Sequence, residues 1–109
     1  MKIGEAQKAS FSLHTQIEES NQMKWNPFIT VVDILEEAGE VAQVVKNLEG
    51  YSPHQEPKTK DMLASELSDM LWSIFVLAGM YKLDLEKSFK RMLSSYETRF
   101  LKRDAHIIS

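Results

Sequence analysis

The chain has 109 residues, a formal net charge of −3 at pH 7 and no cysteine. The length predicts one domain over residues 1–109, and the lack of cysteine excludes disulfides, thiolate zinc sites and cysteine nucleophiles. The slightly acidic balance provides no basic surface for duplex nucleic acid. The N-terminus lacks the apolar core of a signal peptide, and the apolar run 70–81 is too short to span a bilayer. We therefore expect a soluble, cytoplasmic protein that binds neither nucleic acid nor membranes.

The first half of the sequence predicts two helices. Residues 5–23 carry a modest apolar stripe of the kind found on a helix. The next helix is expected to begin at Pro27, because proline suits the first helical position and Asn26 can cap the helix in front of it. This second helix is expected to end at Gly50, since glycine commonly follows the last residue of a helix.

Two further helices are predicted after an irregular segment. Thr59 can cap the third helix, which extends to residue 81 or 82, and Asp84 can cap the fourth. The tail beyond Arg103 is expected to fray. No alternation of apolar and polar residues is long enough for a strand, so the predicted fold is an all-α four-helix bundle. The fourth helix carries a continuous apolar stripe, formed by Leu85, Phe89, Met92, Leu93, Tyr96 and Phe100.

The third helix indicates self-association. Residues 70–81 are apolar on nearly every side of this helix. A four-helix monomer of this size buries only one side of each helix, so part of this surface requires another cover. A second copy of the chain could bury this surface. We therefore predict a homodimer or homotetramer that completes the bundle.

Carboxylates interrupt the apolar faces of the second and third helices. Glu37 and Glu40 are three residues apart and therefore share one face, and Glu66 and Asp69 have the same spacing. Glu37 projects into the apolar arc of its helix, and the other pair lies on an apolar stripe. Unpaired buried carboxylates cost several kcal/mol each, so a positive group must compensate them. A bound metal ion is the interpretation that we favour.

The ligand types select among metals. Four carboxylates from two neighbouring antiparallel helices suit Mg²⁺, or Mn²⁺, with positions left for water and substrate phosphates. A di-iron site would need Glu-x-x-His, whereas Glu40 and Asp69 occupy the third position here. An ordinary solvated helix face is the competing interpretation, and it fits Glu36. The three histidines are expected to be ordinary surface residues: His14, His54 and His106.

Two other features suit substrate binding. Trp25 and Phe28 flank the start of the second helix and form either a hydrophobic staple or a platform on which a base stacks. Arg99 flanks the apolar stripe of the fourth helix and is a candidate to reach a phosphate. No glycine-rich phosphate loop is present, which disfavours an ATPase of the P-loop type.

Three stretches of the sequence resemble the MazG-like nucleotide pyrophosphohydrolases, which belong to the all-α NTP pyrophosphohydrolase superfamily. The resemblance covers about residues 25–100. The matching stretches are Glu36-Glu37-x-x-Glu40-Val41, Glu66-Leu67-x-Asp69-x-Leu71-Trp72 and Leu83-Asp84-Leu85-Glu86.

The resemblance implies Mg²⁺-dependent cleavage of a nucleoside triphosphate between its α and β phosphates, which yields a monophosphate and pyrophosphate. It also implies a dimer or a dimer of dimers with sites near the subunit contacts. The family's metal ligands fall on four positions here: Glu37, Glu40, Glu66 and Asp69. Glu36 is implied as an accessory acid, and Tyr96 stands where members often carry asparagine, three residues before Arg99.

Phosphoryl chemistry of this kind requires charge neutralisation and a positioned water. Either Glu36 or Glu37 could accept the proton of that water, and the sequence does not decide between them. The alternative function is a non-catalytic helical module that dimerises or binds nucleotide. Such a module would be marked by loss of one carboxylate from the set of four, and none is missing.

Overall fold

The computed structural model describes residues 1–104 and consists of four helices. No strand occurs in this part of the chain, which confirms the predicted all-α fold. Most of the tail that was predicted to fray beyond Arg103 lies outside the described residues, and so does His106. The helices are α1 (Ile3–Ser20), α2 (Pro27–Leu48), α3 (Lys60–Met80) and α4 (Leu85–Leu101).

The helix starts follow the capping signals of the sequence. Asn26, Thr59 and Asp84 each accept a hydrogen bond from the backbone N–H three residues further on, at 2.9 to 3.1 Å. Each such cap is worth about 1 kcal/mol. Gly50 follows α2 with a φ of 82°, a conformation that glycine adopts without a steric penalty. The ends of α1 differ from the expected range 5–23, because the helix begins at Ile3 and the chain turns away after Ser20.

Helix α3 is the centre of the packing. Both α1 and α2 pack against it, and α1 also contacts α4. Three of the four buried apolar residues belong to α3, and Val44 of α2 is the fourth. The three are Phe75, Val76 and Ala78.

His14 corrects one expectation from the sequence. It is only 8% exposed, although all three histidines were predicted to lie at the surface. The reason is that α1 crosses α3 at this point, where the imidazole makes edge contacts with the rings of Trp25 and Trp72.

Much apolar surface stays open to solvent in the single chain. The radius of gyration is 17.2 Å, compared with about 13 Å for a compact chain of this length. On α4, Phe89, Tyr96 and Phe100 are 43%, 45% and 67% exposed, so its apolar stripe is covered less than the sequence suggested. Within the described residues, α3 is the one helix long and apolar enough to cross a membrane by length and composition alone, a property that core helices of soluble proteins share.

A close approach between α1 and α3 leads to a test of the packing. A Cβ added at Gly79 would lie 3.0 Å from Cβ of Phe11 and closer still to its ring. We expect Gly79→Ala to lower the free energy of unfolding by about 1–3 kcal/mol, even though alanine favours helices over glycine.

Gly39→Ala is the matched control, since no heavy atom lies within 4 Å of the added methyl group. It should raise the free energy of unfolding by about 0.5–1 kcal/mol. Urea unfolding of both variants measures the difference. Equal stabilisation by the two substitutions would contradict the close contact.

Candidate metal centre and adjoining cavity

Three carboxylates converge where α2 packs on α3. Glu37, Glu40 and Glu66 each present one oxygen, and these three oxygens all lie within 4.8 Å of one another. Glu37 and Glu40 share a face of α2 because they are three residues apart, and the antiparallel packing brings Glu66 of α3 opposite them. The structure thus brings together three of the four predicted metal ligands.

The cluster contains oxygens with no partner. Oε2 of Glu37 and Oε2 of Glu66 are buried and accept no hydrogen bond. None of the salt bridges within residues 1–104 involves Glu37, Glu40 or Glu66. Buried polar atoms are almost always satisfied in folded proteins, so these two oxygens call for a cation. Hard cations such as Mg²⁺ and Mn²⁺ take carboxylate oxygens as ligands, and the donor set fits them.

Mutual repulsion and burial raise the proton affinity of this cluster. Burial raises the pKa of Glu37, and the nearby charges of Glu40 and Asp69 raise it further. The pKa of Glu66 is raised to about 7, first because the protonated form is hydrogen-bonded to Glu40, then by burial and by the surrounding carboxylates. Without a cation, the site therefore holds protons at pH values where ordinary glutamates have lost them.

Asp69 and Glu36 lie at the edge of the cluster. Asp69 is exposed, so the apolar setting expected for it is wrong: that part of α3 is open to solvent. Its charge still raises the pKa of Glu37 and Glu66, which places it near them. Its role as a fourth ligand stays a prediction. Glu36 is exposed, as expected for the polar side of α2.

A cavity of about 190 Å³ lies between α1, α2 and α3, and it reaches the carboxylate cluster through Asp33, which is one turn before Glu37 on α2. Trp25, predicted to be part of either a hydrophobic staple or a platform for a base, lines it and contacts the His14 ring edge-on, with ring centroids 6.1 Å apart. Phe28 is 74% exposed and does not line the cavity. The lining residues are His14, Ile17, Glu18, Met23, Trp25, Thr30, Asp33, Trp72, Ser73 and Val76.

Sequence reasoning did not single out Glu18 and Asp33 as members of this cavity. Glu18 accepts a hydrogen bond of 2.6 Å from the backbone N–H of Trp25 and lies 3.5 Å from Nε2 of His14, so it fixes the linker between α1 and α2. The spacing of His14 and Glu18, four residues apart on one helix face, was the available signal. Asp33 precedes Glu37 by four residues and shares its face of α2, a second signal of the same kind.

Arg99 lies apart from this assembly in the described chain. Its guanidinium stacks on Phe100 at 4.5 Å and on Tyr96 at 5.2 Å from the ring centroids. None of the salt bridges within residues 1–104 involves it. The predicted contact of Arg99 with a phosphate stays a prediction.

The raised pKa of Glu66 predicts how stability depends on pH. An unfolded glutamate has a pKa near 4.5, and the folded value is about 7, so the folded protein binds more protons between these values. The contribution of Glu66 to stability is therefore fully present below about pH 4.5 and is lost as the pH rises to about 7. The metal-free wild type should accordingly lose melting temperature between about pH 5 and pH 8 relative to Glu66→Gln.

Thermal unfolding in a chelating buffer measures this difference, and Glu49→Gln, the same change outside the cluster, should follow the wild type. Added Mg²⁺ should raise the melting temperature of the wild type more at about pH 8 than at about pH 5, because protons compete with the metal. Parallel pH profiles of the wild type and Glu66→Gln would contradict the assignment.

Comparison with known proteins identifies a family. Residues 29–103 match the family model of the MazG nucleotide pyrophosphohydrolase domain. The chain is also 30% identical over 106 residues to the uncharacterized protein YvdC of Bacillus subtilis (strain 168). The aligned region covers 92% of this chain and 97% of that protein. No solved structure matches the chain at a significant level. With the family match spanning both carboxylate helices, the chain belongs to the MazG nucleotide pyrophosphohydrolase family.

Proposed function

We propose that this protein is a Mg²⁺-dependent pyrophosphohydrolase that cleaves a nucleoside or deoxynucleoside triphosphate to the monophosphate and pyrophosphate, and so acts on the cytoplasmic nucleotide pool. The observation that carries the proposal is the pair of buried, unpartnered oxygens on Glu37 and Glu66, beside a cavity lined by Trp25 and Trp72. A carboxylate cluster that can bind a cation, next to a cavity lined by aromatic rings, suits a substrate with a polyphosphate at one end and a base at the other.

Glu37, Glu40 and Glu66 would hold the metal, with Asp69 as a fourth ligand from the edge of the cluster. Bound Mg²⁺, or Mn²⁺, neutralises phosphate charge and activates water. The three carboxylates would hold the cation in a fixed position because they come from two helices packed on each other. Their mutual repulsion is relieved when a cation binds, so the protein is arranged in advance for it.

Of the two candidate proton acceptors, Glu37 has the stronger support. Its carboxylate lies in the cluster itself, within 4.8 Å of oxygens of Glu40 and Glu66, so it would be within reach of a water bound there. Glu36 is exposed beside the cluster and would act as the accessory acid. Trp25 would stack on the base, and Arg99 would bind a phosphate of the departing group.

The function is tested by assaying release of pyrophosphate from each common NTP and dNTP with Mg²⁺. We expect at least one substrate to be cleaved, and Glu40→Gln and Asp69→Asn to lower kcat/KM by about 100-fold or more while the fold survives, since both residues are exposed. Asp61→Asn, an exposed acid in the first turn of α3, is the matched control and should retain activity. Pyrophosphate release from no triphosphate would leave the non-catalytic binding module as the better function.

The bond that breaks is identified by hydrolysis in ¹⁸O-labelled water. Label in the monophosphate corresponds to attack at the α phosphorus, the expected result. Orthophosphate together with a nucleoside diphosphate would contradict the proposed reaction. Label in pyrophosphate alone would keep the α–β bond as the one cleaved but place the attack on the β phosphorus.

We also propose that the protein is a homodimer or homotetramer. Exposed apolar residues follow α2 at alternating spacings of three and four, the pattern of a helix that packs against another helix. Alanines at positions 38 and 42 fill the two places between them. The exposed large residues of this α2 stripe are Phe28, Val31, Leu35 and Val45.

Sedimentation at micromolar concentration tests the assembly. We expect the wild type to sediment as a dimer or tetramer and Leu35→Lys to dissociate, because Leu35 is 66% exposed in the centre of the α2 stripe. Gln43→Lys places the same charge on an exposed polar position of α2 and should leave the assembly intact. A stable, well-folded wild-type species of 12.6 kDa would contradict self-association.

A further inference from the structure

Asp33 is a carboxylate for which the mechanism above has no use. It lies on α2 one turn before Glu37 and lines the cavity beside the carboxylate cluster. Within residues 1–104 its side chain makes neither a hydrogen bond nor a salt bridge, and it is half-buried. Its pKa is raised by burial and by the neighbouring charge of Glu36, and lowered by His14. A half-buried acceptor that faces a cavity without a partner is suited to bind a donor of a ligand.

The register of α2 and α3 orders the site along the helices. Oγ1 of Thr30 lies 3.5 Å from Sδ of Met80, which aligns the start of α2 with the end of α3. Moving from there toward the cluster, Asp33 is the next residue of α2 to line the cavity, and Glu37 follows one turn later. Successive turns of a helix are about 5.4 Å apart.

A nucleotide has the same order of parts. Its phosphates would lie at the carboxylate cluster and its base against the indole rings of Trp25 and Trp72 in the cavity. The sugar joins these two parts and would therefore lie at the turn of α2 that carries Asp33. Ser73 of α3 also lines the cavity, one turn after Asp69.

We propose that Asp33 is a specificity-determining residue whose carboxylate accepts hydrogen bonds from the 2′- and 3′-hydroxyls of a ribose, so that ribonucleoside triphosphates are preferred over deoxyribonucleoside triphosphates. This inference rests on the proposed function. A carboxylate offers two acceptor oxygens, and the vicinal diol of ribose offers two donors, of which deoxyribose lacks one. A site built to bind a hydroxyl discriminates strongly against the analogue without it, because its own polar group is then left unpaired.

The test compares ribo and deoxyribo pairs of the same base, with kcat/KM for hydrolysis and Kd for the α,β-methylene analogues in Mg²⁺. The wild type is expected to favour the ribose member by about tenfold or more. In Asp33→Ala the ratio of ribose to deoxyribose should fall to about threefold or less, because kcat/KM and binding decrease for the ribose member alone. Asp61→Ala removes an equal charge outside the cavity and should keep the wild-type ratio.

Asp33→Asn keeps the shape of the side chain and one acceptor, so it preserves the test if the alanine variant unfolds. It should show an intermediate ratio. A wild-type ratio near one, or equal losses on both members of a pair in Asp33→Ala, would overturn the assignment. The assignment would also be overturned if Asp33→Ala lowered kcat/KM only for bases that carry an amino group, and did so equally for the ribose and deoxyribose forms.

The two proposals fail in different ways. If no triphosphate is hydrolysed, the proposed activity is wrong. The ratio of Kd values for the methylene analogues still decides whether Asp33 distinguishes ribose from deoxyribose. If triphosphates are hydrolysed but ribose and deoxyribose are treated alike in both measurements, the activity stands and the role of Asp33 is wrong. Absence of binding by every analogue would overturn both.

Discussion

The packing of α2 on α3 is the constraint on which the rest of the structure depends. It buries Val44 and Val76, and the same contact forces the carboxylates of Glu37, Glu40 and Glu66 together. Apolar residues at the half-buried positions of Glu37 and Glu66 would pack more favourably, since no cationic side chain within residues 1–104 pairs with these carboxylates. The fold keeps an arrangement that is locally unfavourable, as functional sites often do, and apolar burial on both sides of it supplies the offsetting free energy.

Helix α1 turns this pair of helices into a site with two distinct environments. It crosses α3 and closes the cavity next to the carboxylates, with His14 between two tryptophan rings. Glu18 then binds the backbone of Trp25 and holds the linker against α1. One continuous surface consequently passes from a region rich in anionic oxygens to one lined by aromatic rings. These two environments are of the kind that the proposed nucleotide substrate would need at its two ends, without a glycine-rich loop.

Helix α4 is attached to the domain mainly through its first turn. Glu86 accepts a hydrogen bond from the N–H of Gly4, and Gln7 bonds both to the carbonyl of Leu83 and to the N–H of Leu85. Beyond this anchor, Tyr96 and Phe100 remain largely exposed, with Arg99 stacked on both. The helices that carry the carboxylate cluster and the basic helix are thus separate parts of the chain. The apolar side of α4 and the α2 stripe both remain exposed in the single chain, as expected for the proposed self-association.

The sequence by itself determined the four helices, their caps at Asn26, Thr59 and Asp84, and the residues of the carboxylate cluster. These features are local: a cap depends on the next three residues, and helical periodicity places residues three apart on one face. Only the tertiary structure decided that His14 is buried, that Asp69 is exposed and that Asp33 faces a cavity. The burial of a side chain on a helix depends on which helix crosses it and at what angle, and that information lies in distant parts of the chain.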